Sequence, residues 1–102
     1  MTDSPDELRL DVWLWRARFY KSRALSTRTV KNGKIRLERN GQTLRAFKPN
    51  TKLRPGDRLT FMRANHLFHI EVLSMGMRRG PANEAQAMYA IVDTATKIQL
   101  TA

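Results

Sequence analysis

A chain of 102 residues, 41% hydrophobic and 27% charged, has the size and apolar content of one folded domain. It has no cysteine, which excludes disulfides and thiolate metal sites. No apolar run nears the roughly 18 residues that cross a bilayer, and the acidic opening MTDSPDELRLD lacks a secretory pattern. A cytoplasmic location without membrane contact is the expectation. Charge is the strongest signal: nineteen Lys and Arg against nine Asp and Glu give +10 and a pI near 11.1. The excess sits in residues 9–63, where sixteen basic residues face only Asp11, Glu38 and Asp57. Such a stretch repels itself, and a polyanionic partner relieves the repulsion. Nucleic acid is favoured as that partner over an acidic protein or an anionic membrane.

The elements read in chain order as follows. Residues 1–7 are expected to be a flexible leader, 8–92 the domain, and 93–102 a tail. Residues 8–20 have helical periodicity: Leu10, Trp13, Leu14 and Ala17 make one apolar face, and Val12, Trp15 and Phe19 a second. A helix apolar on two sides lies between two other elements. Ser22 suits the N-cap of a second helix over 23–32. Leu25, Thr29 and Val30 would face inward, and Ala24, Thr27, Arg28 and Lys31 outward; Gly33 would end the helix in a left-handed conformation. Together the two helices form a helix-turn-helix-like unit with a basic outer surface. From Lys34 the period becomes two, and Asn40-Gly41 signals a hairpin returning through Gln42–Phe47. Strands follow at Arg58–Arg63 and His66–Ser74. Pro81 is expected to open a helix running to about Ile91. The order ααββββα describes an α+β domain, with helices on one side of an antiparallel sheet of about four strands.

The residue types favour binding over catalysis. Lys21, Ser22 and Arg23 sit where free N–H groups at a helix start favour phosphate. Arg28 and Lys31 lie one turn apart, and Lys34 and Arg36 continue from them into the first strand. Trp13 and Trp15 read as packing residues, Trp15 under the C-terminal helix, and Phe61 and Phe68 as core. Without an exposed aromatic pair on a strand, reading folded RNA by shape is favoured over stacking on single strands. Asp11 beside Arg9 is expected to pair with an arginine and orient it. His66 and His69 point to opposite faces of a strand and cannot chelate one metal. No nucleophile–base arrangement or glycine-rich phosphate loop is present, so the chain is read as non-enzymatic, needing no cofactor, metal or small-molecule substrate.

The strings Arg9-Leu10-Asp11, Trp13-Leu14-Trp15, Ala17-Arg18-Phe19-Tyr20-Lys21, Arg23-Ala24-Leu25 and Gly33-Lys34 resemble the S4 RNA-binding domain. Among its members the chain is most similar to the heat-shock protein 15 family, as Arg78-Arg79-Gly80-Pro81-Ala82, Glu84-Ala85 and Met88-Tyr89 also are. The resemblance implies two helices packed on a small sheet, called the αL motif. It also implies binding of ribosomal RNA, on the large subunit, in a response to stalled or heat-damaged translation. Carried onto this chain, the contacts would be Arg9, Lys21, Ser22, Arg23, Arg28, Lys31, Lys34 and Arg36. The acting species is expected to be a monomer. The alternative is an interaction or chaperone-like protein that docks acidic partners. The chain departs from the family in a longer 34–49 segment and in ending at Ala102, where many members continue into a basic helix.

Overall fold

The computed structural model describes residues 7–92. The expected leader, apart from Glu7, and the expected tail lie outside the described residues. A two-residue strand β1 (Leu8–Arg9) leads directly into helix α1 (Leu10–Arg16), and helix α2 (Arg23–Lys31) follows. Strands β2 (Ile35–Arg39) and β3 (Gln42–Ala46) form the hairpin around Asn40-Gly41. A two-residue strand β4 (Lys52–Leu53) precedes β5 (Arg58–Arg63) and β6 (His66–Val72), and helix α3 (Ala82–Gln86) and strand β7 (Tyr89–Ile91) complete the order. The main sheet is antiparallel with order β3-β2-β5-β6-β7, and β1 pairs separately with β4. The α+β class and the pair of helices on an antiparallel sheet agree with the sequence reading.

Three expectations need correction. The first helix ends at Arg16, not Tyr20. Arg18 adopts φ +66°, its N–H donates to the Trp15 carbonyl, and the Phe19 N–H reaches back to Leu14. That pair of bonds is a Schellman cap with arginine where glycine is usual, so no glycine marks the stop. The Arg18 side chain also donates to the Gly80 carbonyl, which ties this cap to the loop before α3. The third helix ends at Gln86, and Tyr89–Ile91 form a fifth strand, with Ile70 opposite Ile91 and Val72 opposite Tyr89. Sheet pairing overrides the helical pattern there. Trp15 is half-buried beneath the Arg79 guanidinium, 5.7 Å from its ring centre, in the loop before α3 rather than under the helix itself.

One core joins the layers. Trp13 and Leu14 from α1 and Val30 from α2 pack with Ile35, Leu37, Leu59, Phe61 and Ile70 from the inner sheet face. Phe19 lies in T-shaped contact with Phe61 and Phe68, with centroids 5.0 and 5.2 Å apart. Trp13 is fully buried, and its indole N–H donates to the Ser74 carbonyl at 2.8 Å, so its own polar atom is matched. The start of α1 has no side-chain cap. Its first N–H groups bond instead to the Thr51 and Pro49 carbonyls, 2.8 and 3.3 Å away, beside the β1–β4 pair.

Candidate nucleic-acid interface

The orientation of α2 on α1 rests on Asp11. Its side chain is fully buried, and Oδ1 and Oδ2 accept from Arg9 Nε and an Arg9 terminal nitrogen at 3.0 and 2.9 Å. Thr27 Oγ1 donates to Oδ2 at 2.7 Å, and Ser26 Oγ donates to the Asp11 backbone carbonyl at 2.7 Å. Burial alone pushes the Asp11 carboxyl up. The bonds from Arg9, Thr27 and the Val12 N–H, with the Arg9 charge, outweigh it and hold the group below its ordinary value. The expected pairing of Asp11 with Arg9 is therefore present. Thr27 is corrected: it turns to Asp11 instead of flanking the outer cations. Ser26, absent from the apolar pattern, is fully buried with Val30, and Leu25 and Thr29 are only half-buried.

Ser22 caps α2, its Oγ accepting from the Leu25 N–H at 3.1 Å. At the other end Gly33 takes φ +71°, with its N–H on Val30 and the Lys34 N–H on Thr29. Arg23, Ala24, Arg28 and Lys31 are all exposed along the outer arc between these caps. Lys21 is exposed just before the helix, and Lys34 and Arg36 are exposed just after it.

The arginines elsewhere are engaged. Arg39 holds buried Asp57 through two bonds of 2.9 and 2.6 Å. Arg16, Arg18, Arg63 and Arg79 donate to the carbonyls of Gly76, Gly80, Phe19 and Trp15. Arg54, Arg58 and Arg78 pair with Glu7, Glu71 and Glu84. Among the described residues, no ion pair or hydrogen bond engages the side-chain nitrogens of Lys21, Arg23, Arg28, Lys31, Lys34, Arg36, Arg45, Lys48 or Lys52, although the Lys48 and Lys52 carbonyls accept from Thr51 and Arg39. Among the described residues, every cation left without a protein partner thus falls between residues 21 and 52. Of the expected contacts, Arg9 stands apart, because its guanidinium already faces a carboxylate, though its side chain is 43% exposed.

The sequence reading overlooked Arg45. The hairpin places it directly opposite Arg36, and Arg36 also faces Thr60 on β5. Counting outward from Asn40-Gly41 finds that register. Like charges directly opposite across strands are destabilising, so the free protein holds this pair at a cost that a bound anion removes. Phe47, 54% exposed, was overlooked too; its ring lies over Gly33, at the junction of α2 with β2.

Comparison with known proteins agrees with this architecture. The S4 domain model matches residues 8–59, from β1 into β5. Heat shock protein 15 of Escherichia coli K12 is 39% identical over 83 residues, covering 81% of this chain and 59% of that protein. The heat shock protein 15 homolog of Haemophilus influenzae is 32% identical over 91 residues, 89% of this chain and 66% of the relative. The chain therefore spans less than two thirds of the length of these relatives. A structure of Vibrio cholerae heat shock protein 15, described as trimeric, superposes with a TM-score of 0.78 at 37% identity, covering 95% of this chain and 94% of the other. With matching fold and identity at this level, the chain belongs to the S4 domain family and, within it, to the heat shock protein 15 proteins.

Proposed function

We propose that this protein binds structured RNA, specifically ribosomal RNA of the large subunit, and acts in translation stress or ribosome rescue. The basic helix-turn-helix surface is the proposed grip. Lys21, Ser22, Arg23, Arg28, Lys31, Lys34 and Arg36 contact the backbone, and Arg9 lies at its flank. The observation that carries this reading is the separation of cations. Among the described residues, those outside the 21–52 segment are matched by carbonyls or carboxylates, and those inside it, apart from Arg39 on Asp57, face solvent. A charged group serving only solubility has no reason to be sorted in this way. The membership in the heat shock protein 15 family supports the ribosomal target. The proposed binding unit is one chain, since the whole surface belongs to a single α2–β2 segment; sedimentation of the free and RNA-bound protein tests this against a trimer.

Binding should depend steeply on salt. With roughly 5 phosphates contacted, log affinity falls against log salt with a slope of about −3 to −4. Arg28→Glu with Lys31→Glu is expected to abolish binding to ribosomal RNA while Tm stays within about 3 °C, because neither side chain makes a bond in the fold. Filter binding across a salt series and a thermal melt decide it. A flat salt response, or a double variant that still binds, overturns the proposal, and co-purification of protein partners that survives RNase favours an acidic protein partner instead.

A further inference from the structure

The outer face of the sheet carries a feature that phosphate contacts do not use. A cleft of about 370 Å³ is lined by Lys34, Arg36 and Arg45 on one side and by Met62 and Leu67 on the other, with Thr60 between them. Met62 and Leu67 are partners across β5 and β6, and they are 57% and 60% exposed. Two large apolar side chains so open to water, beside three cations that pair with no carboxylate among the described residues, form an amphipathic surface. No carboxylate lines the cleft: Glu38, the next residue of β2 on this face after Arg36, turns toward His69 at 3.7 Å, and Glu71 is 3.7 Å from Arg58. The cations thus gather toward one end of the cleft and the two exposed apolar side chains toward the other.

A double helix does not fit such a surface, because its bases are stacked and its outside is phosphate and sugar. An unpaired nucleotide does fit. Its phosphate meets the Arg36–Arg45 pair, a ribose hydroxyl meets Thr60, and the face of its base covers Met62 and Leu67. A thioether is polarisable and packs well on an aromatic ring. Lys34 and Arg36 belong both to this cleft and to the end of the α2 ridge, so one RNA strand can pass from the ridge into the cleft.

We infer that the cleft between Arg36–Arg45 and Met62–Leu67 is a subsite for an unpaired nucleotide next to the structured RNA held on α2. This rests on the RNA-binding reading above and adds a preference to it: a helix with a single-stranded extension or bulge over a blunt helix.

The test compares one RNA hairpin, blunt or carrying a three-nucleotide single-stranded extension, by fluorescence anisotropy. The wild-type chain should bind the extended form about tenfold tighter, which corresponds to about 1.4 kcal/mol. Met62→Ser with Leu67→Ser should bring the two RNAs to within twofold of each other and leave affinity for the blunt hairpin nearly unchanged, whereas Arg45→Gln, which removes one interface cation, should narrow the preference while weakening both RNAs. All three positions are exposed, and circular dichroism checks that the variants fold. Equal wild-type affinity for the two RNAs overturns the inference while leaving the α2 interface intact. Loss of all RNA binding only in Arg28→Glu/Lys31→Glu, with the extension preference unaltered in the serine variant, overturns it as well. A serine variant that changes sedimentation but not RNA preference assigns the apolar pair to contacts between copies, and overturns it too. If the wild-type chain binds neither RNA, the α2 reading itself fails.

Discussion

Replacing Asp11 with alanine separates the groups that position the interface from those that contact its ligand. The substitution removes the acceptor of Thr27 and of both Arg9 bonds, while the Ser26 bond to the backbone carbonyl remains. A hydrogen bond to a buried charged acceptor contributes about 1.5–3 kcal/mol. The Arg9 ion pair adds little, about 1 kcal/mol or less, because that side chain is 43% exposed and screened by solvent. A loss of about 2–3 kcal/mol follows, which for a domain of this size lowers Tm by about 10–20 °C. The pH dependence has a definite sign. The folded state holds the Asp11 carboxyl below its ordinary value of 3.8, so the wild-type advantage over Asp11→Ala is complete above that value. It is lost as pH falls through the lower, folded value. Thermal melts of both proteins from pH 7 down to pH 2.5 measure this. RNA affinity in the cold, where both proteins are folded, should change by less than about threefold, because among the proposed contacts only Arg9, at the flank, touches Asp11. A Tm within about 3 °C of wild type, or an advantage that grows on acidification, refutes the assignment of Asp11 as the α1–α2 clamp.

Two further substitutions probe the caps of α2. Gly33→Ala forces a side chain into φ +71°, costing about 1–2 kcal/mol, and sets its Cβ 2.5 Å from the ring of Phe47. Urea unfolding should show that loss, and adding Phe47→Ala should remove only the contact, leaving the double variant still below Phe47→Ala. Ser22→Ala removes the acceptor for the Leu25 N–H and should cost about 1 kcal/mol, whereas Ser22→Gly costs only a few tenths. An alanine variant as stable as wild type would mean that the cap contributes nothing.

Where a local rule governed, the fold was legible in the sequence. Ser22, Gly33 and Asn40-Gly41 each act through the backbone within a few residues, and each stands where its chemistry predicts. The exposure of Lys21, Arg23, Arg28, Lys31, Lys34 and Arg36 was legible because helix and strand periods sort exposed from buried positions. What could not be read depends on distant partners. The first helix looks continuous to Tyr20 because Arg18, rather than a glycine, takes the left-handed cap and is held by the Gly80 carbonyl. Tyr89–Ile91 carry a helical pattern yet pair with β6, which lies about twenty residues earlier. Ser26 is buried without apolar character because the Asp11 carbonyl accepts its hydroxyl. Arg45 is opposite Arg36 only once the hairpin closes. Its neighbours Met62 and Leu67 reach the same cleft through two more strand pairings.

That hairpin has a consequence for how its length can vary. Successive side chains of a strand point to opposite faces, so Arg36 and Arg45 share the outside while Leu37, Ile35 and Ala46 share the core. Inserting one residue within either strand would reverse that parity beyond the insertion, turning core residues such as Ile35, Leu37 or Ala46 to water and guanidinium groups toward the interior. Gains and losses in β2 or β3 are therefore confined to pairs of residues, and only the Asn40-Gly41 bend can change by single steps and keep each face intact.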